Sequence, residues 1–188
     1  MPFKNVLIVY PKRRERAARR AENEIGRRGR KAALIPEKQF KGQQSQIPST
    51  QPVLFVGLSK AAKQLQDVSS VVFDKYGATC RVSGGRAILA CEWPQGLAAD
   101  QTAVDQAHIV GNEIKALTGQ DGGLTLADKI DFTFDGNRNA VSKYSGWGPT
   151  QDLMTWRHNS DKYIELLYLY AAARFVAEQL DEFTTADG

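Results

Sequence analysis

Residues 5–35, NVLIVYPKRRERAARRAENEIGRRGRKAALI, contain two apolar segments separated by an arginine-rich one. In residues 5–10, Asn5 is followed by four aliphatic side chains and a tyrosine, which is typical of a strand covered on both faces in a parallel sheet. Pro11 ends this run. Residues 13–29 have apolar side chains four apart, which predicts a helix with a thin apolar stripe. Residues 31–35 predict a second strand, so the segment indicates a strand–helix–strand unit.

Two more buried strands and a hairpin extend this unit. Residues 52–57 (PVLFVG) and 69–74 (SSVVFD) are apolar runs of strand length. Residues 78–83 and 86–92 flank a Gly-Gly pair, which favours a two-residue hairpin turn. We therefore expect a three-layer α/β domain of Rossmann-like or flavodoxin-like character with a mainly parallel sheet. Its parallel core would comprise residues 5–10, 31–35, 52–57 and 69–74, with the antiparallel hairpin added to it.

The hairpin turn fixes which side chains face each other. The expected pairs are Val82–Ala87, Cys80–Leu89 and Ala78–Cys91, which place the small and apolar side chains on one face. Cys80 and Cys91 are then diagonal neighbours, and a disulfide between them would need a bulge or a shifted register. We expect two free thiols.

The remaining segments fit a single domain over residues 1–188, since 42% hydrophobic and 24% charged residues are ordinary for a globular protein. Residues 36–52 are polar and contain three prolines, which predicts a long loop. Residues 98–117 have the apolar spacing of a helix, and residues 130–134 alternate like a half-exposed strand. Residues 159–183 predict a final helix that is apolar nearly all round between positions 163 and 176, so it should be buried on more than one side.

Charge is distributed unevenly along the chain. Residues 12–31 hold ten basic and three acidic side chains, a local charge of +7, whereas the whole chain carries +4. Such a segment could follow the phosphates of a nucleic acid, contact an acidic protein surface or lie on an anionic membrane face. It could equally be a solvated Arg/Glu helix face. The arginines predicted to lie opposite the apolar stripe are Arg13, Arg16, Arg20 and Arg27.

The carboxyl ends of the predicted strands give the main candidate site. Gly57, Ser59 and Lys60 lie where a strand turns into a helix predicted over residues 59–67, and a helix N-terminus with a hydroxyl and a lysine favours anions. Lys12, Asp74 and Tyr76 follow neighbouring strands and would lie at the same edge, where open α/β sheets bind ligands. This predicts a phosphate-bearing or nucleotide-like ligand, although strand ends are also polar simply because they meet water.

No motif identifies a reaction, a cofactor or a metal. The two cysteines and two histidines are scattered without a zinc spacing, and His108 is expected to be a structural, hydrogen-bonded histidine. Trp147 and Trp156 lie in or beside a glycine-containing segment, which favours either an interaction surface or anchoring of a loop to the core. The apolar last helix and these tryptophans leave a non-catalytic, homo-oligomeric assembly protein as an alternative. No signal peptide or membrane span is predicted, so we expect a cytoplasmic location.

Overall fold

The computed structural model describes residues 4–58, 62, 70–73, 75–132 and 149–185. Its centre is a six-stranded sheet in the order β2-β1-β3-β6-β5-β4. The strands are β1 (Val6–Tyr10), β2 (Ala32–Pro36), β3 (Val53–Val56), β4 (Ser70–Phe73), β5 (Ala78–Ser83) and β6 (Arg86–Cys91).

Both kinds of strand pairing occur in this sheet. β1 is parallel to β2 and β3, and β3 is parallel to β6. β5 pairs antiparallel with both β6 and β4. Within the hairpin, Val82 faces Ala87, Cys80 faces Leu89 and Ala78 faces Cys91, so the predicted register is confirmed. Helices flank the sheet, and the predicted three-layer α/β fold is confirmed.

The fourth parallel strand is not the predicted one. β4, within the predicted strand 69–74, lies at the edge of the sheet beside β5, and β6 is the parallel neighbour of β3. The reason lies in β6, where Ala87, Ile88 and Leu89 are all fully buried. A strand with apolar side chains on both faces needs cover on both faces, which a central position provides.

In the described part of the chain, five helices lie on one face of the sheet or continue from that layer. They are α1 (Glu15–Arg27), α3 (Gln101–Thr118), α4 (Gly122–Ala127), α5 (Pro149–Glu178) and α6 (Leu180–Thr185). α5 contacts α1, α3, α4, β5 and β6, and between Tyr163 and Val176 nearly every side chain is buried. The predicted burial of the last helix on several sides is therefore confirmed, although α5 begins before residue 159. Within the described residues, no helix has an apolar stretch long enough to span a membrane.

The opposite face corrects the loop predicted over residues 36–52. This segment contains α2 (Glu37–Gln43), followed by a turn of 3-10 helix over Gln44–Gln46. Phe40 of α2 is 2% exposed, and its ring meets the Phe55 ring edge-on with a centroid distance of 5.5 Å. One buried aromatic ring gives the helix a packing anchor that its polar composition conceals.

The segments around α3 and α4 are fixed by local hydrogen bonds. Asp100 accepts a hydrogen bond from the Thr102 N–H (2.8 Å) and caps α3, which ends at Gly119 with φ +72°. Residues 130–132 form no strand, which corrects part of the strand predicted over 130–134, whose last two residues lie outside the described part of the chain. The alternating pattern arises because Ile130 and Phe132 are both buried in the helical layer. Burial on one side without a ladder partner gives the same sequence alternation as a strand.

Candidate functional site

The carboxyl-terminal edge of the sheet brings several strand ends together. β1, β3 and β6 end there because they are parallel. β4 also ends there, since two successive antiparallel pairings restore its direction. Lys12 and Gly57 therefore lie at this edge, and Tyr76 follows β4 at the same end of the sheet. Three predicted site residues, Ser59, Lys60 and Asp74, lie outside the described residues.

A crevice between the ends of β1 and β3 forms the centre of this edge. The chain leaves β1 towards β2 on one side, whereas β3 lies on the other side, so the strand order reverses here. In open α/β sheets such a reversal is where ligands bind. After β1, Pro11 keeps an extended backbone, and Lys12–Arg14 form a single 3-10 turn closed by a hydrogen bond from the Arg14 N–H to the Pro11 carbonyl (2.8 Å). This turn places three consecutive cations beside the crevice.

Arg14 is the side chain that fills the crevice. Its guanidinium carbon lies 4.4 Å from the ring centroid of Tyr168 in α5, a cation–π contact. Gly57, with φ +95°, lies next to both: a Cβ there would be 3.7 Å from Arg14 Cγ and from the Tyr168 hydroxyl oxygen. Burial raises the pKa of Tyr168, and interactions of its hydroxyl with the backbone of Cys91 and the charge of Arg14 act in the opposite direction. Tyr168 is therefore a fixed, neutral support for the guanidinium.

Among the described residues, the cations at this edge have no carboxylate partner. Arg14 is half-buried, whereas Lys12 and Arg13 are exposed. No ion pair or hydrogen bond joins any of these three side chains to another residue in the described part of the chain. An arginine presents five N–H donors in a rigid fork, and those of Arg14 remain available. The prediction included Lys12 and Arg13 but missed Arg14, because only the contact with Tyr168 distinguishes it from its neighbours.

Tyr76 does not belong to the crevice. It is 5% exposed, and its ring packs edge-on against Tyr170 at 5.4 Å, while Lys75 Nζ lies 5.3 Å from its centroid. It lies in the turn between β4 and β5, and β5 and β6 separate that turn from β3. The structure thus brings Lys12 and Gly57 together and places Tyr76 in the core, away from them.

A cavity of about 280 Å³ opens at the same edge, beside the crevice. Its lining residues come from the end of β3, the start of β5 and the end of β6: Leu58, Gly77, Thr79, Arg81, Ala90, Cys91 and Glu92. Desolvation raises the pKa of the Cys91 thiol, and burial raises that of Cys80 to about 12. Both cysteines are free, and at neutral pH both are thiols with little nucleophilic character.

The arginines of α1 differ from those at the edge of the sheet because they form ion pairs with carboxylates. Arg16 pairs with Glu165 of α5 (3.4 Å), and Arg19 pairs with Glu15 (2.9 Å). Glu24 is 7% exposed and pairs with Arg20 (3.7 Å) and Arg27 (3.4 Å). The side chain of Arg20 is only 14% exposed, so it does not lie on an open face as predicted. Much of the positive charge of the basic segment is therefore compensated within the fold.

A groove of about 430 Å³ nevertheless lies along this helix, between α1, α4 and α5. Three arginines line it together with Lys129, Asn23, Gln120 and two leucines. Arg20 donates to Gln120 Oε1 (2.8 Å), and Gly122 gives it room, since a Cβ there would lie 2.3 Å from its Nη2 atom. Basic side chains line the groove. Glu15, Glu24 and Glu165, the carboxylates that pair with its arginines, are not part of the lining.

The other sequence candidates form no reactive centre. His108 bonds to the Val104 carbonyl and to Asp128, as expected of a structural histidine. His158 is exposed. Trp147 lies outside the described residues, and only the backbone of Trp156 is described, within α5. Across the described ranges, no three His, Cys, Asp or Glu side chains come together as metal ligands.

Comparison with known proteins gives no relative for this chain. No protein-family model, curated protein or solved structure matches it. The geometry of the edge and of the groove is therefore the basis for any functional inference.

Proposed function

We propose that this chain binds a phosphate-bearing small molecule at the carboxyl-terminal edge of its sheet. The observation that supports this most is Arg14, a half-buried guanidinium held against Tyr168 at the β1–β3 crevice without a carboxylate partner among the described residues. The proposal concerns binding, and no described residue is assigned a catalytic role.

The chemistry of the edge suits a phosphate group. A guanidinium fork can donate two parallel hydrogen bonds to phosphate oxygens, and stacking on an aromatic ring fixes its direction before the ligand arrives. Lys12 and Arg13 add exposed positive charge beside it. Gly57 has a φ of +95°, which suits glycine, and the missing side chain leaves the backbone at the end of β3 open to a ligand. An anion at the crevice would thus accept hydrogen bonds from donors that have no partner among the described residues.

Nucleic-acid association through the basic segment 12–31 is the second candidate. The groove lined by Arg16, Arg19, Arg20 and Lys129 favours it. The ion pairs of α1 weigh against it, because each paired carboxylate would repel a phosphate. Of the two features that suggest a homo-oligomer, the apolar surface of α5 between Tyr163 and Val176 is buried inside the protomer, and the side chains of Trp147 and Trp156 lie outside the described part of the chain.

Phosphate binding can be tested by isothermal titration with inorganic pyrophosphate. Arg14→Gln removes the guanidinium while keeping a side chain of similar reach. We expect it to weaken pyrophosphate binding by about tenfold or more, the range for loss of a charge-assisted contact. Circular dichroism of the variant checks that the fold is retained.

Two matched variants separate the edge from the rest of the basic surface. Arg28→Gln removes an exposed charge after the far end of α1, and Arg19→Gln removes one from the groove. Neither should change pyrophosphate affinity by more than about twofold, the effect of one distant surface charge. Equal losses in all three variants would mean nonspecific attraction and would refute the edge site. A loss confined to Arg19→Gln would move the anion site to the groove.

A further inference from the structure

The cavity beside the crevice indicates what else the ligand contains. It lies at the same edge as Arg14 but on the opposite face of the sheet, because Thr79 and Ala90 of its lining share the face of Ile88 and α2, whereas Tyr168 lies on the α5 face. Leu58 and Cys91 lie where the two faces meet, since Leu58 follows Gly57 and the Tyr168 hydroxyl interacts with the backbone of Cys91. A ligand anchored by its phosphate at the crevice could therefore extend over the ends of β3 and β6 into the cavity.

Besides Arg81, the cavity lining presents two acceptor groups that favour a ligand body with hydrogen-bond donors. Glu92 is exposed at its rim, and no hydrogen bond or ion pair engages its carboxylate in the part of the chain that the structure describes. An ionised carboxylate only accepts hydrogen bonds, so it suits hydroxyl or amino groups. Thr79 donates its hydroxyl hydrogen to the Ala90 carbonyl (3.0 Å), which leaves its oxygen as a second acceptor facing the same space.

The apolar part of the cavity favours a flat, weakly polar group. Leu58 is 49% exposed, which is unusual for a leucine in this structure, and it stands at the wall together with Ala90 and Gly77. An exposed leucine beside a cavity that also holds a few polar side chains resembles the lining of sites that bind ring systems. Gly77 has φ +95°, and a Cβ there would lie 2.4 Å from the Glu92 carbonyl oxygen, so the turn keeps this wall free of a side chain.

Resting on the proposed function, we infer that the ligand is a nucleoside phosphate whose ribose hydroxyls bind Glu92 and whose base lies against Leu58. A carboxylate at the end of a parallel strand is well suited to the paired hydroxyls of a ribose. A bare phosphate would leave the Glu92 carboxylate and the apolar wall unused, and a phospholipid would offer acyl chains that a cavity of about 280 Å³ cannot hold.

The experiment is isothermal titration of the full chain with inorganic phosphate, the four common ribonucleoside 5′-monophosphates and their 2′-deoxy forms. At least one ribonucleotide should bind about tenfold or more tightly than phosphate, and its 2′-deoxy form should lose most of that gain. Glu92→Ala should weaken the binding of that ribonucleotide by about tenfold and leave the affinity for phosphate unchanged. Glu113→Ala, which removes an exposed carboxylate from α3, is the matched control and should change neither.

The outcomes separate this inference from the proposed function. Phosphate binding that depends on Arg14, together with ribonucleotides that bind no better than phosphate, would overturn the inference and leave the phosphate site standing. A ribonucleotide preference that survives Glu92→Ala would also overturn it, because the carboxylate would then have no role. If no probe shows binding that depends on Arg14, the proposed function fails, and this inference fails with it.

Discussion

At the residue scale, His108 shows how a partly exposed side chain is held in place. Its Nδ1 lies 2.9 Å from the Val104 carbonyl oxygen, and its Nε2 lies 2.8 Å from Asp128 Oδ1. Both partners accept hydrogen bonds, and only the protonated imidazole can donate from both nitrogens. The bond to Val104, followed by that to Asp128, raises the pKa of His108, and the charges of Asp128 and Asp105 act in the same direction.

We predict that His108 titrates above its ordinary value of about 6.5. NMR on a His158→Asn background, which leaves one histidine, would measure this directly. Asp128→Asn should lower the His108 pKa. Because the folded pKa is the higher one, the stabilisation is complete below the unfolded pKa and is lost as pH rises through the folded value. It should be small, since Asp128 is 70% exposed. A pKa unaffected by Asp128→Asn would show that this pair does not form in solution.

The same scale shows where sequence reasoning about the site stops. Lys12 and Gly57 were predictable, because a proline after a strand and a glycine at a strand end mark the edge of a sheet. Arg14 was not, since three consecutive cations are equivalent in a sequence. What separates it is an aromatic ring about 150 residues further along the chain, and no local pattern contains that contact.

At the scale of elements, α2 depends on one ring. Phe40 is buried against Phe55, Val9 and Ile35, whereas the rest of the helix is mostly polar. A surface ion pair between Lys41 and Glu37 (3.6 Å) adds little by comparison. The polar composition of the segment favoured a loop, because a single anchoring residue gives no periodicity.

We predict that Phe40→Ala lowers the free energy of unfolding by about 3–5 kcal/mol, the usual cost of removing a buried phenylalanine. Urea denaturation measures this. Gln39→Ala, at an exposed position of the same helix, should change it by less than about 0.5 kcal/mol. Similar values for the two variants would mean that α2 does not pack against the sheet, as the loop prediction supposed.

At the scale of the whole molecule, one core unites the two halves of the chain. The larger apolar cluster contains side chains of β1, β3, β5 and β6 together with α1, α3 and α5. Trp93, which precedes α3, packs against Phe132 and Tyr163 at 5.8 and 4.9 Å and donates to the Leu97 carbonyl. Such shared packing predicts cooperative unfolding of a single domain.

The measurement is urea unfolding of a Trp147→Phe/Trp156→Phe variant, in which Trp93 is the remaining tryptophan. Its fluorescence reports the helical layer, and far-UV circular dichroism reports the whole chain. We expect coincident midpoints and a single transition. Two separated transitions would contradict a single domain.

The class of fold was predictable from sequence at this scale, and the order of the strands was only partly so. Buried strands and the hairpin register follow from periodicity and turn chemistry, which are local. β6 lies beside β3 because it is the strand that can be covered on both faces. That choice depends on all the strands together, and no local sequence pattern contains it. The available signal was Ile88 and Ala90, which alternation places on the opposite face of β6 from Ala87 and Leu89, so that both faces of this strand carry apolar side chains.

The central position of α5 has a consequence for synthesis. The sheet strands lie within residues 6–91, whereas the helix that covers much of them is contributed by residues 149–178. During translation the apolar face of the sheet therefore stays open until that helix has left the ribosome, and exposed strands are prone to aggregate. A nascent chain of this protein should depend on chaperones through most of its elongation and complete its fold late.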